Sequence, residues 1–471
     1  MSSSPSPPRP AVQPRRYTPV AVIGGGLAGL TLALTLHQHN VHCIVYESSP
    51  RDAPIHKGGS VMASPNALRI LDNLGVYDDL KSQAFTFESM TFKDYNHITT
   101  GTYHFGNAAL YSYPALRTYR NAAINVLRAR AADCGITTEY NKPFSRLLRE
   151  TSFGTEFEFA DGSRAIATVL IGADGIHSRL RDQLFPGSRP LFQGFVGIFG
   201  VVAGSSLSFP LGTDQHTYGL PSRISEPSGS SVLLAPQDPD GASVVVGRKM
   251  PVSLPSATEP ADFDIAAWKG SILTDRTRLL AFFRQDGERF PALVQSALEN
   301  VDLETFNIWP YYNLPDLAHW STRGGHVALV GDAAQAINPT TGLGINQAVE
   351  DGFVLGLALA QTRELVGSGS SDESRSSGEG ENGAMEVACE QQRPKLRLRK
   401  ALSLWEGYRR HRVEGVKALA GAMARRGVST SIGEEVAGVA EEEGPRTMSW
   451  LYGTDVEIDF WGWVAAQEEA V

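Results

Sequence analysis

Cysteine is scarce in this chain: Cys43, Cys134 and Cys389 are the only three in 471 residues, and no two have CxxC or other metal-ligand spacing. That excludes a disulfide-stapled scaffold and a metal centre built on cysteine, and it points to a reducing compartment, read here as the cytoplasm. Long apolar runs are missing too, since no stretch reaches the roughly 20 residues that cross a bilayer. Positive charge is in deficit: 42 Lys and Arg against 51 Asp and Glu leave a net charge of -9. A surface of that sign suits neither nucleic acid nor an anionic membrane as main partner. The Ser-, Pro- and Arg-rich start has no apolar h-region, so residues 1–18 read as a disordered tail and not as a secretory signal.

Glycine is plentiful, with 47 residues, which suits tight turns and close approach of backbone to a ligand. At 471 residues the chain exceeds one compact core, so two interleaved domains are expected. Pro19 to Ile23 reads as a strand, Leu27 to His37 as a helix and Val41 to Tyr46 as a second strand, a βαβ unit. Helices over Asn66–Leu74 and Asn121–Ala132 close at Gly75 and Gly135. A hairpin at Glu156–Ala160 leads through Asp161-Gly162 into the strand Thr168–Ile171.

Short strand-like runs then follow one another at Phe195–Val202, Thr217–Leu220, Ser231–Leu234 and Ser243–Val246. Helical character returns over Ile265–Leu298, then a strand at His326–Val330 and a long helix from Gly344 to Leu365. The Ser/Gly/Glu-rich tract Gly367–Glu390 has too little apolar surface to fold. Beyond it lie a helix at Leu396–Ala424 and an aromatic tail with Trp450, Tyr452, Phe460, Trp461 and Trp463.

The expected class is α/β: a Rossmann-like dinucleotide domain with an inserted antiparallel β-sheet substrate domain and C-terminal helices. Its first part spans 19–190, with substrate strands interleaved near 85–115. The substrate sheet takes mainly 191–305, the second nucleotide part 306–365, a disordered loop 366–395 and the C-terminal helical region 396–471.

Three distant segments carry chemistry. Gly24, Gly26 and Gly29, with Ala28 among them, give G-x-G-x-x-G between strand and helix. The first glycine permits the turn, the second lets backbone approach a pyrophosphate, and the third lets helix and strand pack closely. The helix N-terminus then offers N–H groups and a positive end to the phosphates. Glu47 ends the second strand, where a carboxylate accepts from ribose hydroxyls and repels a 2′-phosphate. This fingerprint serves NAD and FAD alike, and the other two segments choose between them.

Leu170 to Arg181 runs an apolar strand into Asp174-Gly175 and a basic helix. Val327 to Ala334 ends a strand at Gly331-Asp332 and continues through Asn338-Pro339 to Gly342-Leu343-Gly344-Ile345 at the head of the long helix. Asp332 can accept from ribityl hydroxyls, and the glycines turn backbone N–H groups towards a flavin ring. A helix N-terminus there stabilises negative charge on the reduced ring. Order and spacing together select FAD.

On these residues the chain resembles a class A FAD-dependent monooxygenase, the p-hydroxybenzoate hydroxylase and salicylate hydroxylase-like superfamily, in flavour its fungal biosynthetic type. Ser64-Pro65-Asn66 to Leu71, Trp309-Pro310 through Leu314-Pro315, and Asn346 to Asp351 fit the same resemblance. The resemblance implies that NADPH or NADH reduces the flavin and that oxygen from O2 passes through a flavin C4a-hydroperoxide. The acceptor would be an electron-rich aromatic, polyketide or terpenoid, hydroxylated or epoxidised in secondary-metabolite biosynthesis.

It also places Gly59, Ser60 and Arg120 on the cofactor, with Arg117 as the competitor of Arg120. Asp332 and Ile345 would meet ribityl and ring, and Asp174 would serve FAD and NAD(P)H. Gln335 and Leu343 depart from the commoner histidine and glutamine. No metal and no membrane span are expected, and the chain would act as a monomer or homodimer. Candidates for activating a phenol are His216, Tyr218 and Arg248 on the expected substrate sheet. The alternatives are a flavin-dependent halogenase, whose W-x-W-x-I-P signature is missing at Trp461-Gly462-Trp463, and a non-catalytic dinucleotide-binding protein, which would have no use for Asp332 and its loop.

Overall fold

The computed structural model describes residues 16–53, 59–255, 259–337, 342–362, 364, 397–426 and 448–469. Of the tail expected over 1–18, residues 1–15 lie outside the described residues while 16–18 belong to the strand Arg16–Ile23, a correction; the loop at 366–395, Cys389 and the Asn338–Thr341 part of the third segment also lie outside the described residues.

The first sheet sets parallel strands Thr137–Glu139, Cys43–Tyr46, Arg16–Ile23 and Arg164–Gly172 side by side. Arg164–Gly172 changes partner along its length. Its first half pairs with the hairpin strand Gly154–Phe159, and its last three residues pair in parallel with Val327–Leu329. Strands buried on both faces read as continuous apolar runs, as Val20 to Ile23 and Val169 to Ile171 do. The fingerprint helix Leu27–Gln38 is buried from Leu27 to Leu36 because the long helix Gly344–Ala360 covers its outer side. Two glycines permit that approach: a Cβ on Gly352 would overlap the Ala28 carbonyl, and one on Gly356 would press on Thr35.

The second sheet runs, in order, Asp302–Asn313, Leu191–Ala203, Ser243–Pro251, Ser231–Pro236, Ser222–Ser225, Ser89–Lys93 and Thr99–His104. It is antiparallel except where Ser222–Ser225 meets Ser89–Lys93. The edge strand Asp302–Asn313 runs past the boundary expected at 305. Strand alternation sorts its residues. Val196, Ile198, Val232, Leu234, Val244 and Val246 pack against helices Ile265–Thr274, Arg276–Arg284 and Ala292–Glu299. The opposite face turns to the first domain, where Phe92 and Tyr103 cluster with Met62, Phe87 and Ala115.

One expected strand is a correction. Thr217–Leu220 lies in a one-turn helix, Gln215–Tyr218, and the turn behind it. Asp214 caps that helix by accepting from the His216 and Thr217 N–H groups, and Gly219 ends it at φ +81°. The capping box outweighs the β propensity of Thr217 and Tyr218. The C-terminal helix Leu398–Arg426 packs on the long helix through Trp405, Tyr408 and Arg409, all fully buried.

Candidate active site

The three segments converge at the carboxyl ends of Arg16–Ile23, Arg164–Gly172 and Val327–Leu329. There the strand order diverges to either side, the usual place for a ligand in such sheets. A Cβ on Gly24, at φ +110°, would overlap the Ala173 carbonyl, so the first two segments touch backbone to backbone. A Cβ on Gly29 would overlap the Gly24 carbonyl. Gly331, at φ +64°, would bring a Cβ to 3.0 Å from Ala28 Cβ, and the Val330 N–H donates to Gly172 O at 2.9 Å. Arg181 ties the second segment to the third: Nη2 donates to Ile176 O at 2.6 Å, and Nη1 lies 3.5 Å from the carbonyls of Asp332 and Ala333.

Gly26 is different. It caps the fingerprint helix without any side-chain cap, and open space surrounds the position of its absent Cβ. Glu47 stands beside it, 8% exposed, with Oε2 accepting from Gly25 N–H at 2.8 Å and Oε1 from Ser49 N–H at 2.8 Å. Burial pushes its carboxyl up, but the Ser49 and Gly25 amides outweigh that and hold it below the ordinary carboxylate range. Ser48 Oγ donates to Oε1 as well, at 3.2 Å, so neighbouring donors hold both oxygens of the carboxylate in place.

Asp332 is half-buried. Among the described residues no hydrogen-bond donor is found on its carboxylate. Burial pushes that carboxyl up, Arg120 pulls it down, Asp351 raises it and Arg181 lowers it. Arg120 is exposed and opens the helix Arg120–Asp133, and its N–H donates to Gly59 O at 2.7 Å. Arg117 is buried: its Nη2 donates to Ser60 Oγ at 2.9 Å, and burial pushes it down to about 10. Gly344 begins the long helix without a side-chain cap and with open space at its Cβ position. Gly342, at φ +68°, would carry a Cβ into Met62, and Ile345 is buried behind it. Asp174 spends Oδ2 on the Arg179 N–H at 2.9 Å, while Oδ1 is buried without a partner among the described residues.

The three substrate-sheet candidates do not join this cleft. His216 is exposed on the one-turn helix. Tyr218 is buried in the helix-covered layer, its hydroxyl 2.9 Å from His97 Nδ1. Arg248 shares the parity of Val244 and Val246, donates to the carbonyls of Phe283 and Gln285, and lies over Phe290. Its guanidinium fastens helix to sheet, so the expectation of a role in phenol activation is revised.

The cleft side of the sheet carries Arg223, Lys249, Asn307, Trp309 and Tyr311 instead. Strand register puts Arg223, Leu233, Gly247, Phe199 and Asn307 in one row and Lys249, Gly197 and Trp309 in the next. Arg223 Nε donates to Ser231 Oγ at 2.7 Å, and Lys249 Nζ lies 4.3 Å from the Phe195 ring centre and 5.6 Å from that of Tyr311. Neither cation has a carboxylate partner among the described residues. Burial pushes Arg223 down, and burial and then Arg223 push Lys249 down. Parity within the strand Ser243–Pro251 was the signal that could have found Lys249.

The site thus offers open space at the Gly26 Cβ position before one helix, a second uncapped helix N-terminus at Gly344, and the Asp332 carboxylate, which has no hydrogen-bond donor among the described residues. They fit a dinucleotide with a polyol chain and an anionic ring.

Comparison with known proteins points the same way. The family model for the FAD binding domain matches residues 17–372. The 3-amino-4-hydroxybenzoate 2-monooxygenase of Streptomyces platensis is 29% identical over 350 residues, covering 71% of this chain and 78% of that protein. Salicylate hydroxylase of Pseudomonas putida is 27% identical over 365 residues, covering 74% of this chain and 78% of that protein. Among solved structures, that of CtdE with FAD and a substrate superposes with a TM-score of 0.67 at 19% identity, over 96% of this chain and 98% of that one.

Proposed function

The chain belongs to the FAD-binding-domain family and is a class A FAD-dependent monooxygenase; from that premise we propose that it uses NAD(P)H and O2 to hydroxylate an electron-rich aromatic molecule bearing an anionic group. The observation behind this reading is the pair Arg223 and Lys249, set beside aromatic rings on the cleft side of the sheet with no carboxylate partner among the described residues. Two cations so placed stabilise a carboxylate, and the relatives named above act on hydroxybenzoates.

Bound FAD supplies the chemistry of nicotinamide oxidation and oxygen activation. The residues of this chain bind, orient and exclude water. Gly26 and the helix behind it would receive the pyrophosphate, Glu47 the adenosine ribose, and Asp332, whose carboxyl Arg120 pulls down, the ribityl hydroxyls. The N-terminus of the long helix at Gly344 and Ile345 would oppose negative charge at the ring edge. Phe199, lying over Gly197 and Gly247, and Tyr311 give the chamber an apolar floor that keeps water from the reacting centre.

Purified protein should be yellow, and NAD(P)H oxidation should be stimulated by hydroxybenzoates with a product one oxygen atom heavier. Turnover of the neutral benzamides at equal efficiency would remove the anionic requirement. Arg223→Met should raise KM for a carboxylate substrate by about 10- to 100-fold, the worth of a hydrogen bond to a charged group. It should leave the neutral analogue unaffected, and a KM unchanged for both would take Arg223 out of the site. Lys249→Met should have the smaller effect, because Lys249 is exposed.

A further inference from the structure

We propose that Arg409, on the C-terminal helix beyond the matched family region, is a positioning residue of the cofactor site: through Asp351 it holds the Gly331–Asp332 turn. This rests on reading that turn as part of an FAD site. The chain of contacts is continuous and buried. Asp351 Oδ2 accepts from Gly331 N–H at 3.0 Å and from Gln335 Nε2 at 3.2 Å. Asp351 Oδ1 accepts from Arg409 Nε at 2.7 Å. The same guanidinium binds Glu350 and donates to Gln347 Oε1 at 2.8 Å, and Trp405 Nε1 donates to Asp351 O at 3.2 Å. Arg409, Glu350 and Asp351 have fully buried side chains.

Gly331 sits in the left-handed region against Ala28, so its backbone has little freedom, and its N–H is fixed by a side chain from another element. An ionised Asp351 is a strong acceptor for that amide; a protonated one is a weak acceptor with a proton to place. The groups that act on its charge are Arg409 from the C-terminal helix, Gln335, the Gly331 amide and Asp332 on the turn, and Glu350 and Arg412 act on Arg409 in turn. Arg120 and Arg181 lie beyond Asp332. Burial already pushes Asp351 up, and Arg409 is the cation that opposes this. Removing it moves Asp351 further towards protonation, loosens the turn and misplaces the carboxylate of Asp332.

The test is FAD affinity across the neutral pH range, with apoprotein melting measured beside it. Arg409→Met should weaken FAD about tenfold at neutral pH, with affinity recovering as pH rises and Asp351 ionises. Arg409→Lys should restore most of the affinity and remove the pH dependence, and Asp351→Asn should reproduce the weakening without any pH dependence. Arg410→Ala is the control for helix docking: Arg410, on the same helix as Arg409, binds Glu406 of that helix and donates to Leu317 O outside it, and its loss should lower the melting temperature with FAD affinity within twofold. If Arg409→Met binds FAD like the native chain, or weakly but equally at every pH, Arg409 has no positioning role. If the native chain itself fails to bind FAD, the reading of the site fails first.

Discussion

Gly26→Glu is expected to give a folded, colourless protein. At Gly24 and Gly29 the fold itself requires glycine, because a Cβ would overlap backbone oxygen. Gly26 carries no such constraint: its φ of -89° is open to any residue, and no atom lies within 4 Å of a Cβ placed there. The reason left for a glycine is a ligand. A carboxylate at this position also complements the positive end of the helix, worth about 0.3–1 kcal/mol to the apoprotein. Against a bound pyrophosphate the same charge costs about 4 kcal/mol per pair at close range, so FAD affinity should fall by about a thousandfold. Visible absorbance after gel filtration and the melting curve read the two effects separately. A variant that keeps a full complement of flavin would overturn the assignment of the fingerprint turn.

That contrast among three glycines shows which part of the site was legible in the sequence. Gly24 and Gly29 are dictated by backbone crowding, and Gly331 by a left-handed φ beside Ala28, so their spacing carried the geometry with it. Glu47 was legible for a related reason, since its position at the end of Cys43–Tyr46 follows from the length of one βαβ unit. The substrate side was not. Arg248 drew attention as a cation on a strand, yet its parity with Val244 and Val246 already assigned it to the covered face, leaving the alternate position to Lys249. Arg223 belongs to a four-residue strand set between Ser231–Pro236 and the distant Ser89–Lys93, and no local pattern shows the second pairing. Thr217 and Tyr218 have β propensity, but Asp214 offers their backbone a better partner. The C-terminal helix was read from its periodicity, whereas the meeting of Arg409 and Arg412 with Glu350 depends on tertiary packing alone.

Glu350→Gln is expected to destabilise the protein by about 3–5 kcal/mol, the usual result of breaking a buried ion pair by removing one partner. Glu350 is fully buried. Its Oε2 accepts from Arg412 Nε at 3.0 Å and from Arg409 Nη1, and its Oε1 from Arg412 Nη2 at 2.9 Å and Asn66 Nδ2 at 2.6 Å. Glutamine keeps the shape but turns an NH2 towards guanidinium, and among the described residues leaves Arg409 with the Asp351 carboxylate alone and Arg412 with only that of Asp459, 3.7 Å away.

Burial raises the Glu350 carboxyl, and Arg412 and then Arg409 more than offset it, holding the group at about 2. A carboxyl depressed below its unfolded value contributes stability at neutral pH, and that contribution is lost as pH falls from about 4 towards 2. From about 4 to about 2 is worth roughly 3 kcal/mol, in line with the pair-breaking figure. The gap in unfolding free energy between the native chain and Glu350→Gln should therefore be constant from neutrality down to about pH 5 and then narrow. The double variant Glu350→Gln, Arg412→Met should recover part of the loss by removing one of the stranded charges. Chemical denaturation at neutral and acidic pH reads all three. A single variant as stable as the native chain, or a gap that holds constant into acid, would show that this charge cluster is not what secures the C-terminal helix to the long helix.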